Sequence, residues 1–318
     1  MLQLGIIGIG AGAAAALLFA SVTSGSWLSI VLFYLAPLPI MIAGLGWSHW
    51  AALVAALTGA VAVGVVFGST LFFAFLAGAG IPAWWLSYLT MLARPGDAQA
   101  GNGAAPAALE WYPPGRLVVW AAVLGATVVI VAMPNFGMDA ETFRASLAKA
   151  LSRVFEAGKP SVNSPERLIN FLVTAIPPAA AVLATITNVF NLWLAGRIVT
   201  FSGLMKRPWP QISAMRFPNT ALIAMAAAMA LSFIDGLLGI VAGVLSASLM
   251  MAYCVLGFAV VHAITRGIAS RPFLLGGIYA SVFIFGWPAL VLGLLGIADT
   301  VFDLRTRAAR KRGPPPLT

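Results

Sequence analysis

The sequence predicts an all-α fold, a polytopic bundle of transmembrane helices, and three observations support this class. Hydrophobic residues make up 61% of the 318 residues, whereas only 8% of the residues are charged. About a quarter of the residues in a soluble domain are charged, so this composition excludes an ordinary soluble protein. The mean hydropathy is +0.98, and the apolar residues form runs long enough for the ~20-residue helix that crosses a bilayer.

Eight apolar runs of spanning length follow one another, and a longer run comes last. No Lys or Arg precedes the first run, so we expect a retained span rather than a cleaved signal peptide. The last run, 273–304, either crosses once as a tilted helix or turns back at Gly286, Trp287 and Pro288. The eight clear spans are predicted at 4–22, 27–45, 50–67, 70–92, 117–134, 168–196, 218–236 and 238–265.

Small residues recur along one side of the first run. Gly8, Gly12 and Ala16 follow one another at helical spacing and form a stripe on one face of a helix. Such a stripe lets a second helix approach closely, so we predict a helix–helix contact here, with another membrane protein as one candidate partner. Glycine and alanine are also common in membrane helices generally, and this explains the stripe equally well.

Two longer polar segments interrupt the apolar runs. Residues 93–116 are rich in Gly, Pro and Ala and predict a loop. Residues 135–166 contain an amphipathic helix, for which Asp139 suits the N-cap and Gly158 suits the end. We predict that this helix lies along the membrane interface or over the mouth of the bundle. Its apolar face carries Phe143, Leu147, Leu151, Val154 and Phe155.

The segment 168–204 organises the predicted bundle. Pro177 and Pro178 lie inside its apolar run and predict a kinked helix. Asn188 and Asn191 are three residues apart and share a helix face, and lipid offers neither amide a hydrogen-bond partner. Other helices or a ligand must therefore supply one. The tentative substrate-binding residues are Asn188, Asn191 and Trp193, with interhelical hydrogen bonding as the alternative role of the amides.

A second group of polar residues lies near the ends of two later runs. Asp299 and Asp303 are one helical turn apart and could bind a cation or a proton. A helix end at the headgroups, with salt bridges to Arg305 or Arg266, explains the same pair. His262 could pair with one of the carboxylates. We predict a polar cluster of these residues at helix ends.

Little in the sequence points to catalysis. The chain has two histidines, His49 and His262, and one cysteine, Cys254, in no metal-ligand spacing. No phosphate-binding loop, nucleophile elbow or dinucleotide-binding fingerprint is present. We therefore expect no enzyme activity, no metal and no cofactor.

The basic residues indicate topology rather than nucleic-acid binding. The net charge is +9, but the bases occupy short loops and a tail between apolar runs. If the run 273–304 turns back, 13 of the 18 Lys and Arg residues share one face of the membrane. The positive-inside rule then places both termini in the cytoplasm. We predict one integral domain over 1–304 and a basic, Pro-rich cytoplasmic tail over 305–318.

Several polar motifs within the apolar runs resemble a known family. The chain is similar over nearly its whole length to the YybS-like family of uncharacterised bacterial membrane proteins, a domain of unknown function. The residues that carry the resemblance are LAPLPIMIAGLGW (35–47), NLWLAGRIV (191–199), KRPWP (206–210), GFAVVHAITRG (257–267), LLGGIYA (274–280) and LGIADTVFDLRTR (295–307).

That family is in turn distantly similar to the S components of energy-coupling-factor transporters. In S components, small residues of the first helix contact the coupling subunit, and Gly8, Gly12 and Ala16 would be the matching stripe. The resemblance implies an architecture in the bacterial inner membrane and leaves the substrate open.

The function expected from these features is that of a small-solute transport component without its own ATPase, with its substrate near Asn188 and Asn191. The alternative is a structural or assembly protein of the cell envelope that binds other membrane proteins. The lipid bilayer is an expected partner in either case, and nucleic acid is not.

Overall fold

Long apolar helices dominate the computed structural model, which describes residues 2–96, 109–158 and 165–311. The all-α class predicted from the sequence is confirmed. In the described part, seven helical segments are long and apolar enough to cross a membrane by length and composition. They are Leu2–Ser24, Trp27–Gly46, His49–Phe67, Ser69–Thr90, Pro114–Asn135, Glu166–Phe201 and Leu237–Ile264.

The run 218–236, predicted as a full span, forms a shorter helix. This helix, α10, covers Asn219–Leu231 and has 13 residues, so it is about 20 Å long against the ~30 Å of a bilayer core. The chain then bends through residues 232–236, where Gly236 has a φ of +96°. A glycine tolerates this conformation at little cost.

The described chain divides into two compact units. The first unit comprises Met1–Ala121 and Thr187–Pro210. A π-helical segment, Leu76–Gly80, joins α5 to α6. The helices of its N-terminal part are α1 (Leu2–Ala20), α2 (Trp27–Tyr34), α3 (Pro37–Gly46), α4 (His49–Phe67), α5 (Ser69–Phe75) and α6 (Ile81–Thr90).

The segment predicted as a loop over 93–116 contains a small antiparallel sheet. Strands β1 (Ala93–Pro95) and β2 (Leu109–Trp111) pair with Arg94 opposite Glu110, and their side chains form an exposed salt bridge of 2.7 Å. Pairing between strands so distant in sequence leaves little local signal, and this explains why the loop prediction missed it.

The second unit comprises Ala122–Ile186 and Gln211–Thr318. Two long helices, α7 (Pro114–Ala132) and α9 (Pro165–Phe201), contribute residues to each unit. The other helices of the second unit, besides α10, are α8 (Ala140–Gly158), α11 (Leu237–Ile264), α12 (Arg271–Phe285), α13 (Pro288–Phe302) and α14 (Leu304–Lys311).

The final apolar run breaks and turns back. Gly286 ends α12 with a φ of +71°, and Pro288 begins α13. The two ends of the pair lie near the same end of α11: Arg271 Nη2 donates to His262 O (3.4 Å), and Arg305 Nη1 donates to Ser213 O (3.0 Å). Arg266, just beyond α11, donates to the Ser213 hydroxyl.

The tail predicted over 305–318 begins as helix α14, and residues 312–318 lie outside the described residues. The single domain predicted over 1–304 stays a prediction.

Candidate functional site

Asn191 closes the break between α2 and α3. Its side chain is fully buried, and its Nδ2 donates to Tyr34 O and to Thr187 O, each at 2.8 Å. In a continuous helix Tyr34 O would accept from the amide of Leu38, but that amide bonds a different carbonyl. The turn before Pro37 thus leaves Tyr34 O at a helix end, and Asn191 supplies the missing donor.

Asn188 also donates to the main chain. Its side chain is 2% exposed, and its Nδ2 lies 3.2 Å from Ala121 O. Asn191 Oδ1 is buried without a hydrogen-bond partner among the described residues. Trp193 is 45% exposed and contacts Phe190, with ring centroids 6.0 Å apart. The two amides therefore share a buried environment, and Trp193 lies on a different side of α9.

A buried hydroxyl pair connects α9 to α11 in the second unit. Thr185 Oγ1 and Ser248 Oγ are 2.8 Å apart, and Ser248 Oγ also donates to Ala122 O of α7. A Cβ at Gly125 would lie 2.6 Å from Thr185 Oγ1, so only glycine permits this approach of α7 to α9. The hydroxyls satisfy each other and nearby carbonyls, which indicates a packing role. Sequence reasoning missed this pair.

A cavity of about 240 Å³ lies beside the two prolines of α9. Pro177 and Pro178 have no amide hydrogen, so the carbonyls of Val173 and Thr174 lose their ordinary helical donors. Val173 and Thr174 both line the cavity, so their carbonyl oxygens are main-chain hydrogen-bond acceptors beside it. Its polar lining comprises Arg144, Thr174, Ser232 and Asp235.

Two glycines of α11 also line the cavity. A Cβ at Gly239 would lie 1.9 Å from Ile234 O, so the turn after α10 packs directly on the helix. At Gly243, by contrast, the nearest atom to such a Cβ is Ser232 Cβ at 4.0 Å. The missing side chain at Gly243 therefore contributes to the open volume.

One cation and one anion line the cavity. Arg144 lies on α8 and Asp235 lies in the turn between α10 and α11, and both are exposed. Neither forms a salt bridge with another residue that the structure describes. Their charges are therefore free to bind a small polar molecule.

Helix α8 is held in place at its N-terminus and along its apolar face. Asp139 Oδ1 accepts from the amides of Glu141 (3.0 Å) and Thr142 (2.9 Å). The hydrogen bond from the Thr142 side chain is the main cause that lowers the pKa of Asp139. Phe143 and Leu147 pack against Met133, Ile169 and Val173.

The apolar face of α8 departs from its prediction at one position. Val154 is 69% exposed, whereas Leu151 and Phe155 pack against the cluster around Phe143. Contacts within the second unit thus cover most of this face, and they place Arg144 at the cavity.

The small-residue stripe of α1 packs against α4 within the first unit. A Cβ at Gly8 would lie 2.7 Å from Val54 Cβ, and one at Gly12 would lie 2.5 Å from Ala55 O. Ala16 is 7% exposed. The stripe thus makes a close helix–helix contact inside the chain.

The polar residues predicted at helix ends form two ion pairs and a separate contact. Arg305 Nη2 lies 2.7 Å from Asp299 Oδ2, and both side chains are largely buried. Asp303 Oδ1 lies 3.0 Å from Arg216 Nη2. The Thr306 hydrogen bond, followed by the contact with Arg216, lowers the pKa of Asp303.

His262 does not join these carboxylates. Its Nδ1 lies 2.9 Å from Phe258 O, and its Nε2 lies 3.5 Å from the Tyr279 hydroxyl. The predicted cluster of four residues is therefore an acid–base pair, a second pair that includes Arg216, and a histidine beside α12.

A buried cation that sequence reasoning missed lies in the first unit. Arg207 is 6% exposed and donates to Thr90 O and to Tyr112 O, each at 2.9 Å. Desolvation lowers the pKa of its guanidinium. Thr90 is the last residue of α6, so Arg207 satisfies a carbonyl at a helix C-terminus. Nothing in the sequence distinguishes it from its neighbour Lys206.

Comparison with protein families places the chain in one of them. The model of DUF2232, a family of predicted membrane proteins, matches residues 13–300. The chain belongs to this family. The finding agrees with the resemblance to YybS-like membrane proteins, whereas the similarity to S components stays a prediction. No curated protein and no solved structure matches the chain.

In this DUF2232 member, the cavity presents charged and hydrogen-bonding groups. Among the described residues, no group of three or more His, Cys, Asp and Glu side chains could hold a metal ion. The cavity offers one guanidinium, one carboxylate, two hydroxyls and the proline-freed carbonyls of α9. These groups suit hydrogen bonds and ion pairs to a small polar molecule.

Proposed function

We propose that the protein is a small-solute-binding component of membrane transport, and that its solute binds in the cavity beside Pro177 and Pro178. The observation that carries this proposal is the presence of one guanidinium and one carboxylate, from Arg144 and Asp235, beside the two prolines of α9, neither with a salt-bridge partner among the described residues. Transporters expose main-chain groups to the substrate at discontinuous helices, and in the continuous helix α9 the two prolines free main-chain carbonyls in a comparable way.

The cavity is a better candidate than the surroundings of Asn188 and Asn191. The amide nitrogens of both residues already donate to main-chain carbonyls. A ligand that took these donors would leave Tyr34 O and Ala121 O without them, which is costly in a buried environment. The two charged groups at the cavity, from Arg144 and Asp235, have no salt-bridge partner among the described residues that a ligand would have to displace.

We further propose that the protein resides in the bacterial inner membrane with both termini in the cytoplasm. The turn between α12 and α13 supports this arrangement, because it brings the basic segment after α13 to the end of α11 where Arg266 lies. With this turn, and if α10 together with the turn after it completes one crossing, 13 of the 18 Lys and Arg residues fall on one face of the membrane. Cytoplasmic loops carry such an excess.

The proposed role is non-catalytic and needs an energy source outside this chain. S components likewise bind a solute and lack an ATPase, but the coupling contact that the resemblance assigned to Gly8 and Gly12 would need another surface here, because α4 packs on both glycines. The alternative role in envelope assembly would need a surface other than the α1 stripe, because α4 already packs on Gly8 and Gly12.

The proposal is tested by thermal unfolding of the purified protein with a panel of amino acids, amines, carboxylates, sugars and nucleosides. A solute present at 100 times its Kd stabilises the folded state by about 2.7 kcal/mol. We expect at least one solute to raise the Tm of the wild-type protein. In Arg144→Gln and Asp235→Asn the rise should be largely lost, because each change removes one charge from the cavity.

Two exposed residues of α8 provide matched controls. Arg153→Gln and Glu156→Gln remove the same charges at positions that do not line the cavity, and they should retain the ligand-induced rise in Tm. The proposal fails if no solute raises the Tm, or if the control variants lose the rise as completely as the cavity variants. Loss of the rise in Asn188→Ala alone would instead favour the site predicted from the sequence.

A further inference from the structure

One end of the second unit carries arginines from three segments of the chain: the loop before α10, the loop after α11, and helix α14. The pair α12–α13 leaves and returns to the same end of α11, as the contacts of Arg271 and Arg305 show. Each helix of the pair has 15 residues, a length of about 22 Å that is short for a full crossing. The loop after α11 and helix α14 therefore lie at one membrane face.

Acidic residues neutralise only part of this positive charge. Asp299 pairs with Arg305, and Asp303 pairs with Arg216. Four further arginines at this end have no carboxylate partner among the described residues. We call them the basic face: Arg266, Arg271, Arg307 and Arg310.

Helix α14 is attached firmly to the helix before it. Asp303 adopts a φ of +49°, which turns the chain between α13 and α14. Buried Asp299 then accepts from the backbone amide of Arg305 (3.1 Å) and from its Nε (3.0 Å). Arg307 and Arg310 follow three residues apart, so they share one side of α14.

Exposed apolar side chains adjoin the basic face in the sequence. Ile268 lies two residues beyond Arg266 and is 44% exposed, and Phe302 precedes α14 and is 53% exposed. Apolar groups next to cations are typical of the depth at which acyl chains meet phosphate groups. Apolar side chains beside the cations therefore suit a lipid better than a dissolved ion.

We infer that the basic face binds the headgroups of anionic phospholipids. The phosphate oxygens of a headgroup accept hydrogen bonds from guanidinium groups, while the apolar residues contact its acyl chains. A cluster of four arginines beside a membrane helix has the charge that such lipids attract. This inference is independent of the solute proposed for the cavity.

The inference is tested by titrating the detergent-solubilised full-length protein with fluorescent phosphatidylglycerol and fluorescent phosphatidylcholine. We expect tighter binding of phosphatidylglycerol. The double variant Arg307→Gln/Arg310→Gln should weaken that binding by about 25-fold, or about fivefold per arginine, and leave phosphatidylcholine binding unchanged. The control Lys149→Gln/Arg153→Gln, which removes two exposed charges from α8, should bind like the wild type.

Three results would overturn the inference. They are equal affinity for the two lipids, an equal loss of affinity in the control variant, and competition by glycerol phosphate as effective as that by the lipid. The variant Arg307→Lys/Arg310→Lys retains the charge and should retain the preference for phosphatidylglycerol.

Discussion

The contact between α1 and α4 makes a sharp prediction for Gly12→Ala. The added Cβ would lie 2.5 Å from Ala55 O and 2.9 Å from Thr58 Cβ. The first of these atoms belongs to the main chain of α4 and cannot rotate away, so α1 must move outward. Overpacking of this kind destabilises a protein by about 1–3 kcal/mol. Alanine has a higher helix propensity than glycine, which stabilises the helix by about 1 kcal/mol.

We expect the overpacking cost to be about 3 kcal/mol, because the added Cβ meets main-chain atoms. After the gain in helix propensity is subtracted, Gly12→Ala should lower the free energy of unfolding by about 2 kcal/mol. Gly10 provides the matched control on the same helix, since nothing lies within 4 Å of a Cβ placed there. Gly10→Ala should leave the stability unchanged or raise it slightly.

The assay is unfolding in detergent micelles followed by far-ultraviolet circular dichroism, with both variants and the wild type at one protein concentration. A loss of about 2 kcal/mol corresponds to a Tm lowered by roughly 4 °C. The reasoning is refuted if Gly12→Ala is as stable as Gly10→Ala, because the two helices would then not be in main-chain contact at this position.

Three further predictions concern the second unit. Gly239→Ala should destabilise the protein more than Gly243→Ala, because only the former adds a Cβ against main chain; thermal unfolding of the pair measures the difference. Asp299→Asn should cost about 3 kcal/mol in denaturant unfolding, since Arg305 would keep a buried charge without its partner. Because the folded pKa of Asp139 is lowered, its cap stabilises α8 above the ordinary aspartate pKa, and this stabilisation is lost as pH falls through the folded pKa. The protection factors of the amides at the start of α8, which correct for the intrinsic pH dependence of hydrogen exchange, should therefore decrease over this range, and Asp139→Asn should abolish that decrease.

Local signals in the sequence predicted several elements well. The apolar runs predicted the long helices, since about 20 apolar residues must form a helix in a bilayer. Asp139 predicted the start of α8, because a cap acts within its own turn. The break at Gly286 and Pro288 was one of two alternatives, and the structure contains it.

Features that depend on distant contacts could not be predicted in the same way. The sequence indicated that Asn191 needs a partner but not that Tyr34 O, 157 residues away, would be that partner. The cavity forms where α8 and the turn before α11 meet α9, and no short sequence motif predicts such a meeting of distant segments. Arg207 is buried only because α6 ends beside it.

The most direct test of the proposed solute site is to fill the cavity and leave its charges unchanged. Gly243→Leu places a side chain in the open volume beside Ser232 and retains both Arg144 and Asp235. For any solute that raises the Tm of the wild-type protein, we predict that this rise disappears in Gly243→Leu while the Tm without solute stays close to that of the wild type. An undiminished rise in the variant would contradict the assignment, because the solute would then bind elsewhere.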